Sequence, residues 1–321
     1  MESLALLKCE GILLIRPKEI LAELVWAFPN RRAGWLLLSR LGLEPPPRAI
    51  KRAIVSRYRK YFGREPDLED PKTWTEKLQW MKLNDRNPAM VIASDKYAVR
   101  EFVASRGYEH ILIELLGVYS DARDIDFSAL PAQFVLKPNH DSGGVIIVRD
   151  KSELDETATR KKLARLISMP FLAGVRKGEW QYVEIEPRII AETYLGDVDT
   201  SAYDYKIHCF HGVPKLIFVG GDIDGVRHRT HYDLDWNNLD IVLDKPQFPF
   251  PIEKPKLLDE MLAIARGLSD VFPYVRVDLY YFDDRIYFGE LSFFHHSGFG
   301  RFEPIEWDYT LGSWLDLKKL N

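Results

Sequence analysis

The sequence predicts an α+β fold, with antiparallel sheets covered by helices on one side. Three observations carry that prediction. Residues up to Gly107 show helical periodicity, residues after Ala132 are dominated by short runs of strand character, and several of those runs return through tight turns such as His211-Gly212. A doubly wound parallel sheet would need crossover helices between most strands instead.

The helical part comes first. Residues 1–50 suggest two or three short helices, ended by Pro45-Pro46-Pro47, a stiff connector to the rest of the chain. The helical pattern then runs over residues 57–84, where Thr73-Trp74-Thr75-Glu76 is a capping box and Trp74, Leu78 and Met81 form the apolar stripe. The next helix is expected to open at Ser94-Asp95-Lys96-Tyr97-Ala98, to bury Val99, Phe102 and Val103, and to end at Gly107. Lys96 is the anomaly in it. A cation in a first turn faces the positive end of the helix dipole and is unfavourable unless an anion meets it.

Strands are expected over residues 134–138, 145–148, 188–193, 205–210, 215–219, 275–282 and 286–294, with helices over 157–168 and 256–272. Length and composition support a packed protein: 321 residues, 46% of them apolar, can bury a full core. No fixed-period repeat points to a solenoid. The two cysteines, Cys9 and Cys209, have neither disulfide nor metal spacing, which suits a reducing compartment, and Cys209 reads as a buried inert thiol. No apolar run near the N-terminus reaches membrane-spanning length and no cleavage site follows, so a cytoplasmic location is expected.

The formal charge of −4 hides an asymmetry, because residues 1–64 carry 13 Lys/Arg against 5 Asp/Glu and the remainder carries 31 against 43. The basic front would suit peripheral contact of residues 1–50 with the inner face of an anionic membrane. The plainer reading is a hairpin with a solvated basic face. A nucleic-acid partner is not expected.

Two segments carry chemistry. In residues 134–148, Lys137 leaves a strand just before a small loop, Ser142-Gly143-Gly144, whose backbone N–H groups could close over phosphate oxygens. Many hairpins share that bare pattern. The second is Arg276-Val277-Asp278, then Asp283-Asp284-Arg285, then Gly289-Glu290-Leu291-Ser292. If the loop holds three residues, Asp278 stands opposite Glu290 and Arg276 opposite Ser292, all on one face. A two-residue turn would put the acids on opposite faces. Facing carboxylates destabilise a structural sheet, whereas magnesium bound with nucleotide phosphates needs such oxygen ligands.

These residues carry a resemblance. The stretch from Pro71 to Lys82, Asp95-Lys96-Tyr97-Ala98-Val99-Arg100, the run from Leu130 to Lys137, Asp204-Tyr205-Lys206, Asp235-Trp236-Asn237, Val275-Arg276-Val277-Asp278 and Phe288-Gly289-Glu290-Leu291 resemble, in order and spacing, the TupA-like (teichuronopeptide biosynthesis) group of ATP-grasp proteins. The resemblance implies two α+β subdomains with antiparallel sheets gripping ATP, preceded by a helical segment. The expected divisions are a helical extension 1–50, a helical region 51–130, and grasp subdomains 131–195 and 196–321.

By the same resemblance, Lys96 and Lys137 would hold the nucleotide phosphates and Ser142, Gly143 and Gly144 would form the mobile phosphate loop. Glu192, Thr193, Tyr194 and Leu195 would form the linker whose backbone reads the adenine edge. Asp204 would bind ribose, and Lys206 would be a further cation. Asp278 and Glu290 would hold Mg2+, with Ser292 standing where many such ligases carry Asn, and Arg276 would stabilise the acyl-phosphate and its adduct. The implied activity is a carboxylate–amine ligase that uses ATP and Mg2+, joining an amine to a uronic acid of a surface polysaccharide such as a capsule, the acid being lipid-linked or nucleotide-linked. Rivals are a glycosyltransferase, for which Asp222-Ile223-Asp224 offers a weak acid-x-acid pattern, and a kinase-like phosphotransferase. Arg227, His228, Arg229 and His231, read as a glycine-flanked loop, could collect a carboxylate. His295 and His296 follow the metal strand closely and could contact acceptor or phosphate, but read more readily as polar packing.

Overall fold

The computed structural model describes residues 37–38, 43–141, 143–168, 174, 176–196 and 203–320. The helices expected before residue 43 therefore lie outside the described residues, apart from Leu37 and Leu38. No helix of the described residues is long and apolar enough to cross a membrane.

Helix α1 (Pro47–Phe62) opens where the proline run was expected only to end helices. Pro47 occupies the first turn, where a missing N–H costs nothing, and Gly63 closes the helix in the left-handed region at φ 72°. Ala49, Ile50, Ile54 and Tyr58 form its buried stripe. Residues 57–84 are thus two helices, not one. The second, α2 (Trp74–Asn84), begins at the expected capping box, with Thr73 Oγ1 accepting from the Glu76 N–H and the Glu76 carboxylate accepting from the Thr73 N–H.

Two short helices follow, α3 (Ala89–Ser94) and α4 (Val99–Ser105). Lys96 lies in the turn between them rather than inside a first helical turn. Asp95 is the reason, because its Oδ1 accepts from the Tyr97 N–H at 2.8 Å and builds a side-chain turn.

All strand pairings are antiparallel. One sheet has the order β1-β4-β2-β3, formed by Leu115–Tyr119, Ile189–Thr193, Phe134–Pro138 and Ile146–Val148. Helix α5 (Glu156–Ile167) packs on it, burying Leu163 against Phe134, Leu136 and Ile189. The other sheet has the order β10-β9-β5-β6-β7, formed by Arg285–Ser292, Tyr274–Phe282, Asp204–Phe210, Val213–Ile223 and Val226–Tyr232. Its larger core takes Ile207, Val275, Val277 and Leu279 against Met261, Ile264 and Leu268 of α6 (Leu258–Ser269). A small pair, β8 (Val242–Leu243) with β11 (Phe302–Glu303), and helix α7 (Glu306–Trp314) complete the chain. Buried Asp308 of α7 accepts from the Thr75 N–H and hydroxyl at 2.9 and 2.6 Å, tying α7 to α2.

Strand β7 corrects the loop expected for Arg227 to His231. Strand β1 was not expected at all.

Candidate active site

The hairpin β9–β10 reaches the expected pairing by an unexpected route. Its turn has two residues, Asp283 and Asp284, both left-handed (φ 51° and 52°), and Phe282 pairs with Arg285. That matches a tight two-residue hairpin and by itself would place the acids on opposite faces. The register then shifts between Phe288 and Glu290, where Gly289 forms a bulge. The bulge supplies the residue that the turn lacks. Glu290 pairs with Asp278 and Ser292 with Arg276.

The resulting cluster is dense. Arg276 donates Nε to Asp278 Oδ1 at 2.6 Å and Nη2 to Asp278 Oδ2 at 2.5 Å. Its Nη2 also reaches Glu290 Oε1 and Ser292 Oγ, each at 3.1 Å. Ser292 Oγ donates to Glu290 Oε1 at 2.9 Å. One guanidinium nitrogen therefore touches both carboxylates. Burial works against the Arg276 charge, but the Asp278 and Glu290 carboxylates more than compensate and its pKa is raised. Burial also raises the Asp278 pKa, against the pull of Arg276 and Lys206. For Glu290, burial is outweighed by Arg276, Lys96, the Ser292 hydroxyl and Lys206, and its pKa is lowered. The His295 imidazole meets Arg276 Nη1 through Nδ1 at 2.5 Å, and burial holds it neutral.

Strand β5 extends this face. Lys206 pairs with Asp278 in register, and its Nζ lies 3.7 Å from Asp278 Oδ2. Burial pushes Lys206 down to about 8. Asp204 binds Lys206 and takes Arg227 Nη2 at 2.6 Å. Across the ladder, Gly220 pairs with Asp204, and a Cβ at Gly220 would collide with the Asp204 carboxylate and the Arg227 guanidinium. Arg227, Arg229 and His231 alternate along β7 on this face, which explains why the strand carries so few apolar residues.

The smaller sheet contributes the other cations. Lys137 Nζ on β2 lies 2.5 Å from Glu192 Oε2 on β4, whose other oxygen is 3.5 Å from Arg100 of α4. Sequence reasoning placed Glu192 for its backbone and did not foresee this side-chain clamp; Arg100, one helical turn after Lys96, was the available signal. Glu192 and Thr193 lie inside a strand paired on both sides, so backbone free of ladder pairing begins at Tyr194. Leu195 is half-buried, and a Cβ at the adjoining Gly196 would press on Phe282 of the larger sheet.

Lys96 is tied to the loop after β2, its N–H donating to Asn139 O at 3.0 Å and its ammonium to Asp141 O. Burial lowers its pKa, with Glu290 opposing and Lys137 reinforcing. Lys96 thus feels both the acid of the larger sheet and the lysine of the smaller one. Gly143 and Gly144 follow with φ 128° and 67°, values that favour glycine. Ser142 lies outside the described residues.

A cavity of about 540 Å3 opens over this cluster, with Lys96, Arg276 and Glu290 in its wall. His295 and His296 also line it, the less favoured of the two sequence expectations for this pair. His296, Ser297 and Gly298 are three consecutive left-handed residues (φ 47°, 55°, 66°), a strained turn. Buried groups of α2 hold it: Lys82 Nζ donates to Ser297 O at 2.7 Å and Gln79 Nε2 to Gly298 O at 2.8 Å. Cys209 stays inert, its thiol pushed up to about 12 by burial.

Residues 76–316 match the family model of TupA-like ATP-grasp proteins. The chain belongs to the TupA-like ATP-grasp family. Solved structures similar to this TupA-like chain include a D-alanine–D-alanine ligase from Bacillus anthracis complexed with ATP, at 21% identity and TM-score 0.35 over 63% of this chain. The chain spans 55% of that ligase's length. A D-cycloserine synthetase is 17% identical with TM-score 0.43, covering 84% of this chain and 94% of its own. The D-alanine–D-alanine ligase from Helicobacter pylori is 14% identical with TM-score 0.41, covering 78% and 66%. Among curated proteins, none matches.

ATP-grasp enzymes use ATP with Mg2+, and the acids of this TupA-like chain fit such an ion. Asp278 and Glu290 face each other, close enough for a single cationic nitrogen to touch both, so their oxygens could serve a divalent ion together. Among the described residues no third His, Cys, Asp or Glu joins them. Mg2+ is commonly held by one or two carboxylates plus substrate phosphates and water.

Proposed function

We propose that this protein is an ATP-dependent carboxylate–amine ligase that forms an amide through an acyl-phosphate and releases ADP. The observation that carries the reading is the meeting of Asp278, Glu290 and Arg276 with Lys206 on one sheet and with Lys96 opposite.

In this reading Lys96, Lys137 and Lys206 neutralise the phosphate oxygens, and Gly143 and Gly144 lay backbone N–H groups over them. The chain from Tyr194 to Leu195 meets the adenine edge, and Asp204 accepts from ribose hydroxyls. Asp278 and Glu290 hold Mg2+, which when bound would neutralise charge on the transferring phosphate. Ser292 is the weaker third oxygen, because its hydroxyl already donates to Glu290. Arg276 would stabilise the oxygen of the acyl group as the amine attacks. His295 orients Arg276 by accepting a hydrogen bond from its Nη1–H through Nδ1.

A uronic acid of a surface polysaccharide precursor is the acceptor that the family's name and the cavity favour. The cavity joins cations to buried polar groups without hydrogen-bond partners among the described residues, Gln181 Oε1 and Ser94 Oγ, which suit a hydroxyl-rich acid. The test incubates the protein with ATP, Mg2+, uronic acids and an amino-acid panel. Mass spectrometry should find a product lighter by one water than its two parents, together with ADP. UDP release from a nucleotide-sugar without ADP, or a phosphorylated acceptor with no amine requirement, would replace the ligase reading.

A further inference from the structure

The cavity carries a second group of cations that the ligase chemistry does not use. Arg57 of α1, Lys177 and Lys245 all line it, and none has an ion-pair partner among the described residues. They lie together: Arg57 and Lys177 both act on the Lys82 charge, and Lys177 and Lys245 both act on His296. The charges felt by Glu290 are instead Arg276, Lys96 and Lys206. Arg276 and Arg229 also act on His296, so this second group adjoins the first along the cavity wall while being made of different residues.

The carboxylates near the second region are Glu179 and Asp244. Glu179 takes the Ser297 hydroxyl, and Asp244 lies 3.5 Å from His296, which burial holds neutral at a pKa of about 3. Neither carboxylate lies within ion-pair distance of the three cations. Beside them Tyr61 of α1, 44% exposed, packs at a 32° tilt against Phe299 with ring centroids 5.5 Å apart, adding an aromatic surface. Arg57 sits over the same Phe299 ring at 5.7 Å. Arg57 and Tyr61 both precede the residues that match the family model.

We propose that Arg57, Lys177 and Lys245 form a second anion subsite, so that the acceptor carries two acidic groups. One is the carboxylate to be activated beside Arg276; the other, a phosphate or a further carboxylate, sits at this subsite, with a hydroxylated ring against Tyr61. The inference rests on the ligase reading for the first group. The second group follows from the three cations alone.

The test uses the full chain saturated with Mg2+ and a non-hydrolysable ATP analogue, titrated calorimetrically with glucuronic acid and with glucuronic acid 1-phosphate. The phosphorylated probe should bind about tenfold more tightly, the gain of one charge-assisted contact. In Arg57→Gln/Lys177→Gln that advantage should fall to less than about twofold, with glucuronic acid affinity and thermal midpoint unchanged. Arg57→Lys/Lys177→Arg should keep it. A dicarboxylate probe, glucaric acid, tells phosphate from carboxylate preference, and either gain supports the subsite. Equal affinity for all three probes, an advantage that survives in the double Gln variant, or no binding of any probe would overturn the proposal. Failure of the ATP analogue itself to bind would instead overturn the ligase reading.

Discussion

Replacing Arg276 by Met removes the one cation that, among the described residues, contacts both site acids. The residue is 8% exposed and makes three hydrogen bonds to the two carboxylates, at 2.6, 2.5 and 3.1 Å. Lys206, 3.7 Å from Asp278, remains but does not bridge them. Breaking a buried ion pair by deleting one partner costs about 3–5 kcal/mol, because the other charge is left uncompensated. Two facing carboxylates then share one site, and one of them holds a proton well above the ordinary carboxylate range. In the variant the folded state therefore binds more protons than the unfolded chain from about pH 4 upward, and its stability falls as pH rises through that window. In the wild type, Glu290 has a lowered pKa, so its contribution is present above about pH 4 and lost on acidification, while the raised Asp278 opposes it with the same sign as in the variant. The two stability curves should separate by about 3–5 kcal/mol at pH 7.5 and converge toward pH 4.5 in denaturant titrations. Mg2+ should stabilise the variant more than the wild type, having no guanidinium to displace. A difference below about 1 kcal/mol at pH 7.5, or one that does not change with pH, would refute the reasoning.

Other perturbations act on the same contacts. Glu290→Gln should lower kcat about 10²–10³-fold while leaving the fold intact by circular dichroism. Lys137→Met should weaken ATP binding about tenfold or more, and would also free Glu192, so Arg100 should become the sole partner of that acid; nucleotide titration reads the first effect. Lys82 is fully buried with a pKa pushed down to about 7, so the unfolded chain binds more protons between about pH 7 and 10 and wild-type stability should rise with pH there. Lys82→Met should flatten that slope by up to about 1.4 kcal/mol per pH unit in denaturant titrations. Gly220→Val should abolish nucleotide binding, since its side chain would occupy the space of Asp204 and Arg227.

Much of this was legible in the sequence, and the failures have physical causes. The capping box at Thr73 and strands β5, β6, β9 and β10 of the larger sheet obey local rules. Strand β7 hid because its inward residues are Arg227, Arg229 and His231, so the alternation that marks a half-buried strand is absent where the site needs charge. Strand β1 hid because all five of its residues are only half-buried. The facing of Asp278 and Glu290 was reached with the wrong turn and the right pairing, since a glycine bulge restores what a two-residue hairpin removes. The cavity wall from Arg57, Lys177 and the strained turn after His295 comes from three distant segments, and no local pattern joins them.

The most direct measurement is a crystal structure of the protein with Mg2+ and a non-hydrolysable ATP analogue. The account predicts a metal about 2.1 Å from carboxylate oxygens of both Asp278 and Glu290, with Lys96 and Lys137 on the phosphates and Arg276 withdrawn from Glu290. A nucleotide seated elsewhere, or a metal that leaves Arg276 bridging the two acids, would contradict it.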